Sequence, residues 1–169
     1  MDPSNELRNT FIAFSRHKLI REIWPRLCSC LDQLSDEQIW WRPNEASNSI
    51  GNLLLHLNGN VRQWLLQALG GVENVRDRDS EFRQRAVISV SELRATLDTT
   101  LREVDAVLDR LSVQDLLQKH EIQVCSDIPA MDAIYHVVEH FAMHYGQILY
   151  ISKLVRGEDL RFYAYLSKA

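Results

Sequence analysis

The chain has 169 residues, which is enough for one hydrophobic core, so we predict a single domain over residues 1–169. Hydrophobic residues make up 46% of it and charged residues 25%, with only 6 glycines and 4 prolines, which favours a globular helical protein and excludes a fibrous or disordered one. The net charge is −4 and no basic block is present, so we predict no binding to nucleic acid.

The first predicted helix covers about residues 5–34, where apolar residues recur at helical spacing. Pro25 lies inside it and is expected to kink it, because proline removes a backbone hydrogen bond. Cys28 and Cys30 would point to different sides of this helix and Cys125 stands alone, so we expect reduced thiols and a cytoplasmic protein. The N-terminus is polar and no apolar run is long enough to span a membrane, so we expect neither a signal peptide nor a membrane partner.

The next elements are a short helical turn and two longer helices. Ser35 and Gln38 have the spacing of a capping box, which predicts the turn. A second helix is predicted from about Ser49 to Leu69, ended by two glycines. Residues 72–86 are charged and unpatterned, which indicates a crossing connection with short helical pieces. A third helix is expected over residues 89–111, because Ser89 and Glu92 again have capping-box spacing.

The last third of the chain begins with a break in the helical pattern. Ser112 is expected to start one helical turn, and residues 120–124 are expected to be extended. Pro129 suits the first turn of a fourth helix that continues to about Arg156. The apolar tail residues are expected to dock on the bundle, namely Leu160, Phe162, Tyr163, Tyr165 and Leu166. Four amphipathic helices with two long connections predict an all-α fold, a four-helix bundle with long crossover connections.

Three histidines, His136, His140 and His144, are spaced four residues apart on the fourth predicted helix. Successive imidazoles would drift by only about 40° around the helix, so they form a strip, with Gln147 beside it. The strip lies at the border between the apolar face and solvent, which suits a metal site with an open coordination position. Three histidines could equally be ordinary polar residues of a partly exposed amphipathic face with no metal role, and spacing alone leaves both interpretations open. A metal site would also need a ligand from another segment.

His56 is the strongest candidate for that further ligand. It lies beside Asn52, Asn60 and Gln63 on the second predicted helix, away from the centre of the apolar stripe. Helical periodicity alone therefore favours a surface position for His56. The two remaining histidines, His17 and His120, have no helical partner, and we predict no metal role for them.

Three stretches carry a family resemblance: Trp41-Arg42-Pro43, the SIGNLLLHLNGN stretch of residues 49–60, and the HVVEHFAMHYGQI stretch of residues 136–148. In this order and separation they resemble the DinB/YfiT-like superfamily of four-helix metalloenzymes. More narrowly, the chain is similar to an uncharacterised DinB-like subgroup over about residues 5–160. The resemblance implies a DinB/YfiT-like bundle and allows a homodimer.

The resemblance also implies a metal triad of one histidine on the second helix and two from an H-x-x-x-H-x-G-Q stretch on the last. In this chain these are His56, His140 and His144, with His136 as an additional ligand or neighbour. Gln147 and Asn60 are the residues expected to support the ligands. Zn²⁺ or Ni²⁺ suits three imidazoles, and the ion would lower the pKa of a bound water or thiol. Glu139 points away from the strip on the helical wheel, so we do not assign it as a general base.

Two functions from different classes follow from these features. The first is a metal-dependent enzyme with a small-molecule substrate, acting either as a hydrolase or as an S-transferase that activates a low-molecular-weight thiol, as the related bacillithiol- and mycothiol-dependent transferases do. The alternative is a non-enzymatic, stress-related helical bundle with a structural or vestigial metal, which predicts a buried triad without an adjoining pocket. A weaker third hypothesis makes an interaction surface of the aromatic residues Trp40, Trp41, Phe162, Tyr163 and Tyr165, for which packing is the simpler explanation.

Overall fold

Serine side chains cap four helix N-termini in the computed structural model, which describes residues 2–162. Each accepts a hydrogen bond from the backbone N–H three residues further on, as the spacing predicts; they are Ser35, Ser49, Ser89 and Ser112. At Ser35, Ser49 and Ser112 the third helical residue also accepts from the backbone N–H of the serine, which completes a capping box. The starts of these helices are therefore encoded locally.

The helical elements, in chain order, are α1 (Pro3–Arg16), a π-helical segment (His17–Ile23), α2 (Trp24–Leu31), α3 (Asp36–Trp40), α4 (Ile50–Val61), a second π-helical segment (Arg62–Gln67), α5 (Arg78–Arg83), α6 (Val90–Arg110), α7 (Val113–Leu117) and α8 (Ala130–Arg156). An antiparallel hairpin of β1 (Lys119–Ile122) and β2 (Cys125–Pro129) precedes α8. Four long helical stretches form the bundle: α1 to α2, α4 with its π-helical segment, α6, and α8. The predicted all-α bundle is confirmed.

The hydrophobic core lies between these four stretches, and each of them contributes fully buried side chains. Examples that are 0% exposed are Leu19, Leu27, Leu57, Leu65, Leu97, Val104, Ile134 and Phe141. Within each helical stretch the two examples are seven or eight positions apart, because residues at that spacing lie on one helical face. The second helical stretch packs against both α6 and α8, so that one face of α4 lies beside the last helix.

Two prolines lie at helix starts. Pro25 is the second residue of α2, directly after a π-helical segment in which the backbone N–H of Trp24 bonds to the carbonyl of Leu19. The expected kink at Pro25 stays a prediction. Pro129 is the last residue of β2 and the N-cap of α8, with an extended ψ of 145°, so the helix itself begins at Ala130. The prediction that Pro129 occupies the first turn of the helix is therefore wrong by one residue.

Besides residues 32–49, which carry α3, two long connections link the bundle helices. Residues 68–89 carry α5, and residues 111–129 carry α7 and the hairpin, whose turn contains Gln123 at a φ of 58°. The predicted extended residues 120–124 thus form most of β1 and the turn, while the pairing strand β2 was not predicted.

The C-terminal apolar residues and the three cysteines can be compared with their predicted docking and their predicted reduced state. Leu160 is buried and Phe162 packs against the core, while the predicted docking of Tyr163, Tyr165 and Leu166 lies outside the described residues. All three cysteines are free, and only Cys125 among them is exposed. Within residues 2–162, no helix combines the length and the apolar character that crossing a membrane requires.

Candidate metal centre

Three imidazoles meet where α4 packs against α8. The Nε2 atom of His140 lies 3.1 Å from Nε2 of His56 and 3.2 Å from Nε2 of His144. The three candidate ligand atoms all lie within 4.8 Å of one another, close enough to hold a metal ion. His56 comes from α4 and the other two from successive turns of α8, so the group joins two helices. We refer to His56, His140 and His144 as the imidazole cluster.

His56 is only 5% exposed, so the surface position favoured by helical periodicity is wrong. The polar residues that lie beside it on α4, Asn52 and Asn60, are also buried, at 1% and 3% exposure. Asn52 donates its side-chain amide to the backbone carbonyls of Glu81 and Gln84 in the first long connection. At Asn52 the connection, rather than solvent, therefore covers the polar strip of α4 and satisfies the side-chain donors.

A buried ion pair supports His56 from the side opposite its Nε2. Oε2 of Glu81 lies 2.9 Å from Nδ1 of His56, and Arg76 donates to both oxygens of this carboxylate, at 2.7 and 2.9 Å. The side chains of His56, Glu81 and Arg76 are 7%, 8% and 5% exposed. Burial alone would raise the pKa of Glu81, but hydrogen bonds from Arg76 and His56 outweigh it and the pKa is lowered. Glu81 is therefore an ionised acceptor.

The hydrogen bonds at Nδ1 of His56 and Nδ1 of His144 decide which nitrogen of each ring carries the proton. A carboxylate can only accept, and its oxygen lies closer to Nδ1 of His56, at 2.9 Å, than Nη2 of Arg76 does, at 3.2 Å. We therefore assign the proton to Nδ1 and the lone pair to Nε2. Oε1 of Gln147 lies 2.8 Å from Nδ1 of His144 and accepts in the same way, leaving Nε2 of His144 unprotonated. Two lone pairs therefore point towards Nε2 of His140.

His140 is the central member of the cluster and is kept neutral. Burial lowers its pKa to about 3, and the neighbouring imidazoles His144 and His56 contribute in the same direction. Burial also lowers the pKa of His144, although its hydrogen bond to Gln147 opposes the shift. Nδ1 of His140 is buried and has no hydrogen-bond partner within residues 2–162. Neutral imidazoles with converging lone pairs are electrostatically suited to a cation and not to an anion.

The spacing of the cluster fits a divalent ion. Nitrogens at about 2.0–2.1 Å from a tetrahedral zinc ion are about 3.3 Å apart, close to the 3.1 and 3.2 Å of the two pairs that include His140. All three candidate ligand atoms lie within 4.8 Å of one another. His56, His140 and His144 would hold the ion, and three neutral protein ligands leave room for a further one, as in catalytic zinc sites. The imidazole donors suit nickel as well as zinc.

The remaining predicted site residues lie around the cluster. Nε2 of His136 lies 3.5 Å from Nδ2 of Asn60, and its ring stacks on Trp64 at a centroid distance of 3.9 Å. His136 is thus a neighbour of His140, with ring centroids 5.4 Å apart, and does not belong to the three-residue group. Glu139 is exposed, as the wheel predicts.

Sequence reasoning missed the residues of the first long connection that contact His56. Arg76 and Glu81 lie in the charged stretch without periodicity, and Phe82 follows, with its ring centroid 4.7 Å from that of His56. A signal was present in α4, where Gly59 occupies a helix interior. A Cβ at Gly59 would lie 2.0 Å from Oε1 of Glu81, so the glycine permits the close approach of the buried carboxylate.

We expect Gly59→Ala to destabilise the protein by about 2 kcal/mol, because the added methyl group must displace the Glu81–Arg76 pair. The matched control is Gly146→Ala in α8, where a Cβ would meet no atom within 4 Å. That change should stabilise the helix by up to about 1 kcal/mol. Urea unfolding of both variants measures the two effects. Equal stability changes in the two variants would contradict the proposed packing role of Gly59.

Comparisons with known proteins identify a family without an assigned activity and a solved structure with a similar fold. The family model described as "Protein of unknown function (DUF1572)" matches residues 9–167. The crystal structure of a conserved protein from Enterococcus faecalis is similar, with a TM-score of 0.74 and 16% sequence identity, over 86% of this chain and 97% of the other. At that identity the likeness shows a shared fold only. No curated protein matches the chain.

Proposed function

This chain belongs to the DUF1572 family of proteins of unknown function, and from that premise we propose that it is a DinB-like metal-dependent enzyme. In this proposal His56, His140 and His144 hold a divalent ion, Zn²⁺ or Ni²⁺, and a small molecule is the substrate. The supporting observation is the convergence of three Nε2 atoms from two helices, with the Nδ1 atoms of His56 and His144 occupied by acceptors. Placement of the chain in the wider DinB/YfiT-like superfamily is part of the same proposal.

When bound, the ion supplies a Lewis acid that lowers the pKa of a water or thiol at its open position. The protein contributes the orientation of the ligands. Glu81, fixed by Arg76, orients the ring of His56, and Gln147 orients the ring of His144. Phe82 covers one side of His56 and limits the access of water there. His140 and His144 are only partly buried, so a substrate can approach from the α8 side.

Two reactions fit such a site. In an S-transfer, the thiol loses its proton to solvent, its sulfur forms a bond to an electrophilic carbon, and the leaving group departs with its bonding electron pair. In a hydrolysis, water loses a proton and its oxygen attacks a carbonyl carbon, and the leaving group takes up a proton as it departs. Both need a neutral, cation-binding cluster with an accessible position.

The non-enzymatic alternative predicts a fully buried triad with no pocket beside it. The partial exposure of His140 and a groove that reaches Gln147 favour the enzyme over that alternative. A structural zinc site would also normally have four protein ligands, and the described residues bring only three together.

The experiment uses the full chain loaded with zinc or, in parallel, nickel. S-transfer is followed as the loss of cysteine thiol in the presence of monochlorobimane, and hydrolysis is followed with p-nitrophenyl acetate in the absence of thiol. We expect one of these rates to exceed the protein-free rate and to fall to background after EDTA treatment. If the metal binds but neither rate exceeds background with these or other electrophiles and esters, the enzyme proposal fails and the non-enzymatic alternative stands.

A further inference from the structure

An apolar groove of about 630 Å³ lies beside the imidazole cluster, between α8 and the connection from α3 to α4. Trp41 and Pro43 line one side, and Tyr150 and Leu154 line the other. Trp41, Tyr150 and Leu154 are 40%, 66% and 53% exposed, so the groove presents several large apolar side chains together at the surface. The described residues lining the groove include no charged side chain.

The groove ends next to the cluster. Gln147 lines the groove and accepts the hydrogen bond from Nδ1 of His144 at 2.8 Å, and Met143, which also lines it, immediately precedes His144. A molecule lying in the groove would therefore have one end separated from the imidazole cluster by a single side chain, that of Gln147. Another cavity is lined by Arg76 and Glu81 and so approaches the cluster from the His56 side, but none of the other cavities found among the described residues is lined by His144 or Gln147.

Gly146 provides a separate reason to regard the groove as a binding site. Glycine destabilises a helix interior relative to alanine, and Gly146 lies well inside the 27-residue helix α8. No atom lies within 4 Å of the position a Cβ would take, so no packing contact requires glycine there. What the glycine provides is open space over the groove, which a larger side chain would fill.

The dimensions of the groove fit a small molecule better than a protein partner. Its volume lies within the roughly 300–1,000 Å³ of small-molecule sites. A stable protein interface needs about 800 Å² on each partner, far more than a groove between one helix and one loop offers. Aromatic and aliphatic walls without charge suit an alkyl or aryl group.

We propose that this groove binds the apolar arm, alkyl or aryl, of the substrate, while the polar reacting end of the substrate lies at the imidazole cluster. The inference deepens the proposed function and rests on it, because it assigns the substrate class to the same site. The substrate is then an amphiphilic small molecule, apolar at one end and metal-binding at the other.

The test measures how binding depends on an alkyl chain. Zinc-loaded protein is titrated with acetohydroxamate and with hexanohydroxamate, which share the chelating group and differ by four methylene groups. Each fully buried methylene group strengthens binding by about three- to fourfold, so four would give about 80- to 250-fold. Because the groove is open and buries the chain only in part, we expect hexanohydroxamate to bind at least about tenfold more tightly. Equal affinities in the wild-type protein would overturn the proposal.

Variants of groove residues test whether the alkyl chain of hexanohydroxamate binds in the groove. Gly146→Leu fills the groove and should reduce the ratio of the two affinities to about one. Leu154→Glu, at the other end of the groove, should also reduce the ratio. Tyr135→Ala removes an exposed aromatic residue of the same helix outside the groove and is the matched control, which should keep the wild-type ratio. A wild-type ratio in both groove variants would overturn the proposal.

Two further measurements separate this proposal from its premise. If zinc itself does not bind, the proposed function fails; hexanamide, which cannot chelate, is then titrated into the metal-free protein while the amide resonance of Gly146 is followed. A saturable shift of that resonance would support the groove as an apolar site, and no shift would overturn it. A homodimer that Leu154→Glu converts to monomer in light scattering would also overturn it, because a second copy would then cover the groove.

Discussion

Replacing His140 with alanine should lower the affinity for Zn²⁺ by more than about 100-fold, the upper range for loss of a residue that merely supports a ligand. His140 is the best single test of the cluster because its Nε2 lies within 3.2 Å of both other Nε2 atoms. Without the His140 imidazole, only His56 and His144 remain as ligands, and the nitrogen that lies close to both is lost. Isothermal titration of metal-free protein with ZnCl₂ measures the effect, and circular dichroism checks that the helices remain.

The matched control for this experiment is His17→Ala. His17 is exposed and belongs to the first helical stretch, outside the imidazole cluster, so its loss should leave zinc affinity unchanged. The same zinc affinity in His140→Ala as in the wild-type protein would show that any bound zinc lies elsewhere. The metal-dependent function would then lose its basis.

The substitution Glu81→Gln should have the second largest effect, acting on both stability and metal binding. It leaves the guanidinium of Arg76 buried without its anion, which should cost about 3 kcal/mol of unfolding free energy in the absence of metal. It also weakens the acceptor at Nδ1 of His56, which should lower zinc affinity by about 10- to 100-fold. Urea unfolding and isothermal titration measure the two effects separately.

Two further variants make this prediction specific. Asp79→Asn changes an exposed acid of the same short helix and should alter neither quantity appreciably. The double variant Arg76→Met with Glu81→Leu removes both charges and should be more stable than Glu81→Gln, because no unpaired charge stays buried. It should nevertheless bind zinc weakly, since His56 has lost its acceptor. If the double variant binds zinc as tightly as the wild-type protein, the carboxylate does not support the ligand.

Much of the helical framework is predictable from sequence because its signals are local. The serine caps act within three residues, and the apolar faces of α6 and α8 follow helical periodicity. The strip of His136, His140 and His144 is visible for the same reason, since residues on one helix have a fixed relation to each other. Even its position at the border of the core agrees with the partial burial of these rings.

The other half of the site depends on contacts that periodicity cannot show. His56 is buried because a connection without helical pattern covers the polar strip of α4, so neither its own helix nor the apolar stripe indicates its environment. Arg76 and Glu81 stabilise each other only once that connection is folded against α4. The strand β2 is missed for a similar reason, because its partner β1 is needed to define it. The family resemblance, rather than periodicity, identified His56.

The two sides of the cluster are far apart along the chain, because His56 and His140 are 84 positions apart. An unfolded chain can offer a cation only local pairs such as His140 and His144, so a tightly bound ion recognises the native state almost exclusively. By mass action, free metal at a thousand times its dissociation constant would add about 4 kcal/mol to the unfolding free energy. The lifetime of the protein against proteolysis would then follow the concentration of free metal around it.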